Sequence, residues 1–590
     1  MCPVRHGAVR PPVAILTSRL QSAIETVLGE DFRGADPVLR RSTSPQFGDF
    51  QANAAMALGK KAGRPPRELA QAIVDALDVL DVCSSVEVAG PGFINLTLRN
   101  ETLAEAARDL LADGERIGVP VTDAPDCAVI DYSSPTLTKE MHVGHLRSTV
   151  IGDALARTLE FAGHDVVRQN HYGEWGTQFG MLIEHLRTTG GTGGSVSIGD
   201  LNVFYQDANE RFTTDEAFKE QARQRVVALQ AGDDESVELW RQFVAAAQGH
   251  AEEVYELLDV TLRPEDAKPE SSFNSVLDEV CAELEAKGVA RIDDGALCAF
   301  PDGFKNREGE PMALIIRKRD GGYGYQATDL AAARHRFTTL GATRAVYVVD
   351  SRQSQHLAMV FAVARDAGWV PDGARIEHVA FGTIMGPDGR PFKSRSGENV
   401  KLMEVLQDAL QRAESTIAEK NPDLSADERK AAARTVGIGA VKYADLQNDR
   451  IKDYVFDWDR MLAFDGNSGP YLQYAHARVR SIFRRGEIAD TAFLASAAIV
   501  VGEDAERALV LQLLALAEVV DAVVETLQPH RMATYLFELA QAFTGFFEQC
   551  PVLRAPDEAT RTSRLALCEL TARTLALGLG LLGIEAPDRM

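Results

Sequence analysis

The alternation of hydrophobic and polar positions divides the 590-residue chain into three regions. The first region, residues 13–112, combines helical periodicity with two short strand patterns, which predicts a small α/β unit. A segment rich in Gly, Pro and Asp, residues 114–126, follows it and predicts a linker. The predicted elements of the first region are helices at 13–28, 68–77 and 101–111 and strands at 86–88 and 93–98.

The second region, residues 127–400, alternates short apolar runs with amphipathic helices. A strand, a helix and a second strand follow one another twice, and these lengths suit βαβ units with a parallel sheet. A polar, helical insertion from about residue 190 to about residue 288 separates the two halves. The predicted elements are strands at 127–132, 165–168, 345–349 and 376–380 and helices at 145–161 and 356–367.

The third region, from residue 400 onward, has helical periodicity almost throughout. It contains no fixed-period repeat and no low-complexity tract. We therefore predict an all-α region. The predicted helices are 402–417, 429–443, 471–485, 505–527, 535–547 and 564–582.

Charge narrows the class of protein. The chain carries 62 Lys and Arg against 86 Asp and Glu, a net charge of −24. This balance argues against a sequence-blind nucleic-acid coat or a membrane-surface binder, because phosphate would be repelled at long range. A partner held through a local basic face is still compatible with it.

The apolar runs and the cysteines of the chain further limit the class of protein and its cellular compartment. No apolar run reaches about 18 residues, so we expect neither a transmembrane helix nor a membrane partner. The first twelve residues lack the apolar core of a signal peptide. The seven Cys never form a CxxC pair, which predicts neither a disulfide framework nor a Cys-rich zinc site and indicates a reducing cytoplasm.

A first candidate site falls between a predicted strand end and a predicted helix start. There His142 and His145 lie three residues apart, Gly144 lacks a side chain, and Lys139 adds a cation. A helix N-terminus already favours anions, so this arrangement predicts a nucleotide triphosphate across the carboxyl edge of the sheet. The alternatives are a pair of surface histidines or half of a metal site, although no Cys pair stands nearby to complete one.

A second candidate segment spans residues 386–397. Gly and Pro residues flank three cations, Arg390, Lys393 and Arg395, which predicts a mobile loop that closes over phosphates. Such cations stabilise charge that develops on the α-phosphate and on departing pyrophosphate. By itself this signal is weak, because most basic loops are simply solvated.

Taken together, the two segments resemble the signatures of a class I aminoacyl-tRNA synthetase. His142-Val143-Gly144-His145 matches the HIGH motif, and residues 392–396 resemble the degenerate KMSKS loop of the arginyl-tRNA synthetase family. In this family, a lysine just before the HIGH motif is thought to compensate for the incomplete lysine pattern of the loop. The resemblance implies this role for Lys139. The resemblance covers essentially the whole chain. Further segments that resemble this family are 133–135, 170–180, 442–446, 466–476 and 582–590.

The resemblance implies an α/β fold with a Rossmann-type parallel sheet of the class I synthetases, a helical insert, a small α/β N-terminal domain and an all-α C-terminal helical bundle. The implied domains are an additional N-terminal domain at 13–112, a catalytic domain at 120–400 with its insert near 190–288, a helical connector at 401–465 and an anticodon-binding domain at 466–590.

The activity implied is ATP-dependent ligation of L-arginine to tRNA(Arg) through arginyl-adenylate, with release of pyrophosphate and AMP. Mg²⁺ is expected as the counter-ion of ATP, and no structural metal bound by the protein is expected. The implied catalytic residues are Lys139, His142, His145, Lys393 and Arg395. The implied ATP-binding residues are His142, Gly144, His145, Lys393, Ser394, Arg395 and Ser396.

A guanidinium group is planar, permanently charged and rich in donors, so its pocket must supply acceptors. Residues 325–329 are predicted to precede a helix. By resemblance, Asp131 and Asp329 oppose the cationic ends of arginine. Without the family match, Asp329 would be interpreted as a helix N-cap and Tyr325 as a buried core ring. The implied arginine-binding residues are Asp131, Ser134, Pro135, Thr136, His145, Tyr325, Asp329 and Gln353.

Thr136 departs from the family pattern, which commonly has Asn at this position. Asn offers an acceptor and donors, whereas Thr offers one hydroxyl. We therefore expect altered arginine affinity or altered discrimination against analogues, unless a neighbouring group or a water molecule compensates.

The implied RNA contacts lie in the two outer regions. The helix at 471–485 is expected to contact the anticodon loop through aromatic rings and a basic stripe, although a solvated helix face would have the same composition. The N-terminal residues Phe50, Gln51 and Asn53 are expected to contact the D-loop. The family also implies adenylate formation only in the presence of tRNA, and a monomer. The C-terminal candidates are Tyr471, Tyr474, Arg478, Arg480, Arg484 and Arg485.

Two alternatives stay open. Another nucleotidyl transferase could share the HIGH turn, but it would not account for the helical third region and the N-terminal unit. A specialised or non-catalytic paralogue of an arginyl-tRNA synthetase would keep the architecture, and Thr136 keeps this possibility open.

Overall fold

The computed structural model describes residues 11–42, 44–189, 198–392, 400–420, 422 and 424–590. The N-terminal unit is an antiparallel sheet of order β1-β2-β4-β3 that packs against helices. Alternation places Phe50 and Ala52 in the core and leaves Gln51 between them partly exposed. The predicted α/β unit is confirmed. Its elements are α1 Pro12–Leu28, β1 Leu39–Arg41, β2 Phe50–Ala52, α2 Ala54–Ala62, α3 Pro66–Asp75, β3 Cys83–Ala89, β4 Phe93–Leu98 and α4 Asn100–Ala112.

The first half of the second region holds two strands, the helix between them and five further helices. These are β5 Cys127–Asp131, α5 Val143–Phe161, β6 Asp165–Gln169, α6 Thr177–Thr189, α7 Ile198–Thr214, α8 Glu216–Gln230, α9 Asp234–Leu258 and α10 Leu277–Ala286. The remaining elements are β7 Ala290–Asp293, β8 Ala296–Ala299, β9 Leu314–Arg317, α11 Tyr325–Arg334, β10 Arg344–Tyr347, α12 Ser354–Asp366, β11 Arg375–His378 and β12 Ile384–Met385.

The predicted parallel sheet is confirmed, with strand order β11-β10-β5-β6. Its two central strands, β5 and β10, are almost wholly buried because helices cover both faces, whereas the edge strands β6 and β11 are only partly buried. The register pairs Asp131 with Tyr347 on one side and with Gln169 on the other. These side chains therefore lie together at the carboxyl edge, where ligands bind in open α/β sheets.

The segment predicted as a helical insertion, about 190–288, holds helices α7 to α10. Helix α6 precedes it from Thr177, and two short 3-10 helices, Pro264–Asp266 and Glu270–Val276, connect α9 to α10. The insert has an apolar core of its own, in which Phe218 and Phe243 pack with Phe179 of α6. The antiparallel sheet β7-β8-β9 was not predicted, because strands of four residues are too short for a clear period-two pattern.

The C-terminal region is helical except for the two-residue strand β13, which pairs with β12. One predicted helix, 505–527, is two helices in the structure, because the chain turns near Leu514 and Ala515. The elements are α13 Leu402–Lys420, α14 Ala426–Leu446, β13 Tyr454–Val455, α15 Trp458–Met461, α16 Gly469–Arg485, α17 Asp504–Leu513, α18 Leu516–Thr526, α19 His530–Gln549 and α20 Glu558–Leu581.

Helix α5 is the central support of the molecule. It packs against α14, α18 and α20, and its residues share one hydrophobic cluster with α1, α4 and the C-terminal helices. The buried Arg147 of α5 pairs with the buried Asp445 of α14, with Nε 3.1 Å from Oδ2. The start of α5 is consequently fixed against the C-terminal region.

No helix among the described residues has the length and apolar character needed to cross a membrane.

Candidate active site

The first motif forms the turn between the end of β5 and the start of α5, and we call residues 142–145 the histidine turn. His142 is the N-cap of α5, and its Nδ1 accepts the backbone N–H of Gly144 at 3.1 Å. The Nδ1 of His145 in turn accepts the backbone N–H of His142 at 3.0 Å. The two rings lie 3.9 Å apart, centroid to centroid. The helix start is thus capped by the two histidines themselves.

These hydrogen bonds fix the tautomer of both rings. Because each Nδ1 accepts a hydrogen bond, each neutral ring carries its own proton on Nε2, which is left as a donor. Burial, with the nearby charges of Lys139 and Arg352, lowers the pKa of His142 to about 4. Burial and the neighbouring His142 hold the pKa of His145 well below its usual range. Both histidines are therefore neutral donors at pH 7.

Gly144 has a role that the sequence did not show. A Cβ at this position would lie 2.8 Å from Cε1 of His142, closer than carbon atoms approach without displacement. The space left by the missing side chain is thus filled by the His142 ring. Gly144 permits the capped conformation of the turn.

The chain beyond the second motif returns to the histidine turn. The N–H of Val143 donates to the carbonyl of Val400, and the N–H of Leu402 donates to that of Met141, both at 2.9 Å. Lys401 adds an ion pair with Glu140 at 3.0 Å. The predicted loop residues Lys393, Ser394, Arg395 and Ser396 lie outside the described residues.

Asp131 ends β5 as predicted, and its carboxylate is already bonded within the protein. Oδ1 accepts the Ser134 hydroxyl, and Oδ2 accepts Nη2 of the buried Arg336, each at 2.7 Å. Burial opposes ionisation of Asp131, yet Arg336 and the nearby His171 hold its pKa below the usual range. Asp131 is therefore a charged group fixed at the sheet edge.

Ser134 connects Asp131 to the next strand's loop. Its hydroxyl accepts the N–H of His171, and its own N–H donates to Oδ1 of Asn170. Ser133 and Ser134 have positive φ of 66° and 44°, a backbone conformation that non-glycine residues seldom adopt. The hydrogen bonds stabilise this sharp turn, which leads the chain over the sheet edge.

Tyr325 and Asp329 correct the predicted helix boundary. They lie within the first two turns of α11, not before it, and the N-cap is Gly324. The N-cap interpretation of Asp329 is therefore wrong. Tyr325 is 53% exposed, so its interpretation as a buried core ring is wrong as well. Four residues apart on one helix, the two side chains share a face.

One histidine holds the Asp329 carboxylate. Nε2 of His356 lies 2.6 Å from Oδ2, whereas Nε2 of His171 lies 3.7 Å from Oδ1, beyond hydrogen-bond distance. The His356 ring also packs edge-on against Tyr325, with centroids 4.8 Å apart. Asp329 is thus oriented by His356.

A cavity of about 430 Å³, which we call the sheet-edge cavity, lies next to these residues. It is lined by the predicted Thr136 and Tyr325 and by residues that were not predicted, among them the carboxylate Glu270. Burial and the nearby charge of Asp329 raise the pKa of Glu270, while His171 acts in the opposite direction. Its lining includes Thr136, Trp175, Gln230, Glu270, Tyr323 and Tyr325.

Glu270 carried no usable sequence signal. It is one acidic residue at the start of a short 3-10 helix, Glu270–Val276, next to Pro269. The remaining predicted residues lie around this edge: the carbonyl of Pro135 accepts the N–H of Gly173 at 3.2 Å, and Gln353 is exposed at the N-cap of α12.

The N-terminal candidates differ in accessibility. Phe50 is only 2% exposed and its ring lies beneath the Arg41 guanidinium, so it belongs to the core. Gln51 and Asn53 are partly exposed. Oδ1 of Asn53 is buried and has no hydrogen-bond partner within the part of the chain that the structure describes.

The predicted basic stripe on α16 is divided between two faces. Arg478 stacks over Phe547 at 4.6 Å, and Arg485, seven residues on, is exposed. Arg480 pairs with Glu569 at 2.8 Å, and Arg484 donates to the carbonyl of Asp588. The second pair therefore faces the C-terminal tail.

A second cavity, of about 1030 Å³, lies between α14, α16 and the last residues of the chain. Tyr474, which is 46% exposed, and Arg484 line it together with Lys420, Arg589 and Met590. Tyr471 is instead half-buried, with its ring 5.7 Å from that of Phe537. Of the two predicted tyrosines, Tyr474 is the accessible one.

The chain matches three family models in order. One, described as arginyl tRNA synthetase N terminal domain, matches residues 14–98. A second, described as tRNA synthetases class I (R), catalytic domain, matches residues 107–458. A third, described as DALR anticodon binding domain, matches residues 472–590.

The most similar curated relatives include arginine–tRNA ligases of two bacteria. The protein of Thermobifida fusca (strain YX) is 52% identical over 581 residues, 98% of this chain and 100% of that protein. The protein of Escherichia coli (strain K12 / DH10B) is 50% identical over 556 residues, 94% of this chain and 96% of that protein.

Solved structures agree in fold. The arginyl-tRNA synthetase of Plasmodium falciparum superposes with a TM-score of 0.85 at 25% identity, covering 99% of this chain and all of that one. The Thermus thermophilus enzyme gives 0.79 at 28% identity, covering 98% of this chain and all of that one. Because the catalytic-domain match spans more than half of the chain and the relatives align over nearly its full length, the chain belongs to the arginyl-tRNA synthetase family of the class I aminoacyl-tRNA synthetases.

Proposed function

We propose that this chain ligates L-arginine to tRNA(Arg) at the expense of ATP, through arginyl-adenylate. The observation that carries the proposal is a pair of neighbouring carboxylates: Glu270, which lines the sheet-edge cavity, and Asp329, which lies on the same helix as the cavity residue Tyr325. Burial and the nearby charge of Asp329 disfavour the ionised form of Glu270 and raise its pKa. A cation between them relieves this repulsion.

Arginine supplies that cation in a suitable shape. The guanidinium presents several N–H donors in one plane, and two carboxylates can accept them in fork geometry. Lysine would offer a single compact ammonium and leave an acceptor unpaired. We assign the guanidinium to Glu270, Asp329 and Tyr325, and the α-amino group to Asp131 and Ser134. Pro135, Thr136, His145 and Gln353 complete the proposed arginine site.

MgATP would lie across the histidine turn. In the proposed first step, a carboxylate oxygen of arginine attacks the α-phosphorus, the bond to the bridging oxygen breaks, and pyrophosphate leaves. The neutral Nε2–H groups of His142 and His145 donate to ATP oxygens and need no proton transfer. Lys139 supports the developing charge. By family resemblance, Lys393 and Arg395 act with it, and Gly144, Ser394 and Ser396 contact ATP.

In the second step, a hydroxyl of the terminal adenosine of tRNA attacks the arginyl carbonyl and AMP leaves. No covalent intermediate with the protein is required, so positioning and charge stabilisation supply the catalysis. Mg²⁺ accompanies ATP as its counter-ion. Among the described residues, no group of three or more His, Cys, Asp or Glu side chains could hold a metal ion.

The tRNA would contact both outer regions of a monomeric, cytoplasmic enzyme divided as 13–112, 120–400, 401–465 and 466–590. Tyr474 can stack on an unpaired base at the mouth of the larger cavity, where Arg484 and Arg589 offer positive charge. We assign Arg478 and Arg485 to the adjacent phosphates, and Tyr471, Arg480 and the buried Phe50 to supporting these surfaces. Gln51 and Asn53 would contact the D-loop.

Charging of total tRNA with labelled amino acids tests this function. We expect labelled arginine to be attached in the presence of MgATP, and labelled lysine to give background counts. The Asp329→Ala variant should lose the arginine signal. Absence of charging by a folded, unmodified chain would instead support a non-catalytic paralogue.

ATP–pyrophosphate exchange tests the family's dependence on tRNA. We expect exchange near background with arginine alone and a clear rise when tRNA is added. Rapid exchange without tRNA would reject this feature and leave the ligase assignment intact.

A further inference from the structure

Two segments at the wall of the sheet-edge cavity are joined by a reciprocal pair of glutamates. Oε1 of Glu174 accepts the backbone N–H of Ser271 at 2.7 Å. In the opposite direction, Oε2 of Glu270 accepts the backbone N–H of Trp175 at 3.2 Å. The N–H of Glu270 also donates to the carbonyl of Tyr172 at 3.1 Å. The backbone of Glu270 is therefore held on both sides by the segment 172–175.

Glu174 also reaches the insert. It is completely buried, and its Oε2 accepts the indole N–H of Trp240, on α9, at 2.9 Å. The same N–H lies 2.8 Å from the backbone carbonyl of Glu174. The rings of Trp175 and Trp240 meet edge to face, 5.0 Å apart. One carboxylate thus connects α9 to the segment that fixes Glu270.

Helix α8 contributes a second connection. The side chain of Gln230, the last residue of α8, donates to the carbonyl of Trp175 at 3.2 Å. Asn274 accepts the indole N–H of Trp175 and donates to the carbonyl of Gln230. Helices α8 and α9 are therefore both hydrogen-bonded to the segment that contains Glu174 and Trp175.

Glu174 itself does not line the sheet-edge cavity, whereas Trp175 and Glu270 do. Its effect on a ligand there must pass through another residue. We propose that Glu174 is a positioning residue that holds Glu270 in register with the arginine guanidinium and ties this register to helices α8 and α9 of the insert. The inference rests on the proposed function, because it takes Glu270 to be an arginine contact.

The chemistry requires a carboxylate at this position. Two N–H donors point at Glu174, one to each oxygen. Glutamine has nearly the same volume but only one acceptor oxygen, and its NH₂ group would face a donor. Glu174→Gln therefore breaks one of the two bonds without leaving a cavity. Burial raises the pKa of Glu174 to about 7, so measurements at pH 8 test the ionised form.

The test compares Glu174→Gln with the unmodified full-length chain in arginine charging at pH 8. We expect the arginine KM to rise on the order of tenfold, since a displaced charged partner costs about that much. The ATP KM should stay within about twofold, because the histidine turn is not bonded to this network. Glu238→Gln, the same change on the exposed face of α9, is the matched control and should alter neither value.

The double variant separates positioning from general damage. In a Glu270→Gln background, the further change Glu174→Gln should raise the arginine KM by less than about twofold, because the residue it positions is already altered. Equal and independent effects of the two changes would overturn the inference. A fall in thermal stability with equal increases in both KM values would indicate a merely structural role and would overturn it too.

Two outcomes distinguish this inference from the proposed function. If Glu270→Gln leaves the arginine KM unchanged, the assignment of the cavity to the guanidinium is wrong. If Glu270→Gln raises it and Glu174→Gln does not, only the positioning role is wrong. Should Glu174→Gln fail to fold, Trp240→Phe removes one donor and keeps Glu174. It should raise the arginine KM about threefold, and an unchanged KM would overturn the inference.

Discussion

The histidine turn and the sheet-edge cavity lie at the same edge of one parallel sheet, but their polar groups carry different charges. His142 and His145 are neutral, and backbone N–H groups fix their rings. Glu270 and Asp329 are carboxylates that side chains and neighbouring loops orient. The two histidine rings are fixed by contacts within four residues, whereas the cavity brings together residues as distant in the chain as Trp175 and Glu270, which are 95 residues apart.

The difference fits what each region must bind. ATP arrives with its charge partly balanced by Mg²⁺, so the turn needs well-placed donors more than it needs charge. Arginine must be separated from amino acids of similar size, and its fixed positive charge is the property that distinguishes it most. Buried, unpaired charge discriminates more strongly than shape, because leaving a buried charge without a partner is costly.

The largest expected effect follows from removal of the Asp329 charge next to the cavity. Asp329→Asn keeps the volume but leaves the guanidinium with a neutral acceptor, so the arginine KM should rise roughly 100-fold. The ATP KM should change by less than about threefold. Asp302→Asn, in an exposed turn, is the control. Steady-state charging kinetics measure both constants, and equal loss for both substrates would contradict the separation of the two regions.

A smaller effect is expected from steric change in the turn. In Gly144→Ala the new methyl group would displace the His142 ring, so kcat/KM for ATP should fall roughly tenfold while the arginine KM is kept. Gly249→Ala, also helical and with open space at the Cβ, should be neutral. If Gly144→Ala changes the arginine KM more than the ATP value, the turn is not independent of the cavity.

A change of pH should affect the two regions unequally. The pKa of Glu270 is raised, so Glu270 becomes protonated on acidification before an ordinary glutamate does, and the arginine KM should increase several-fold as the pH is lowered. The pKa of His142 is about 4, so the ATP KM should stay nearly constant between pH 8 and pH 6. In Glu270→Gln the arginine KM should no longer depend on pH. If the pH dependence persists in this variant, another group is responsible for it.

The smallest expected effect concerns Thr136. It lines the cavity and pairs through its backbone with Gly173. Thr136→Asn adds an acceptor and donors near the proposed substrate, so the arginine KM should fall about threefold and selectivity against arginine analogues should change. Competition between arginine and an analogue in charging measures this. Unchanged KM and unchanged selectivity would show that neighbouring groups already compensate for the hydroxyl.

Local sequence signals predicted the parallel strands and α5 within two or three residues. Their patterns are complete within one element, because burial on both sides of a strand and on one face of a helix is written into consecutive residues. The sheet β7-β8-β9 was missed since its strands are short, and the split at Leu514 was missed since apolar residues continue through the turn.

The basic stripe on α16 shows a different limit. Four arginines within eight residues suggested one RNA-binding face, but each residue advances the helix by about 100°. Arg478 and Arg485 consequently share one side, while Arg480 and Arg484 turn toward the C-terminal tail. The pairing with Glu569 and the tail depends on where α20 and the chain end pack.

The sequence by itself determined the family and the fold class. It also determined the histidine turn, because His142 and His145 are neighbours in the chain and their rings accept hydrogen bonds from the backbone of the same turn. Only the tertiary structure decided that Glu270 joins Asp329, that Arg336 neutralises Asp131 and that Phe50 is buried. A charge and its pKa depend on which distant groups surround it and how much water is excluded, and neither quantity is encoded in spacing along the chain.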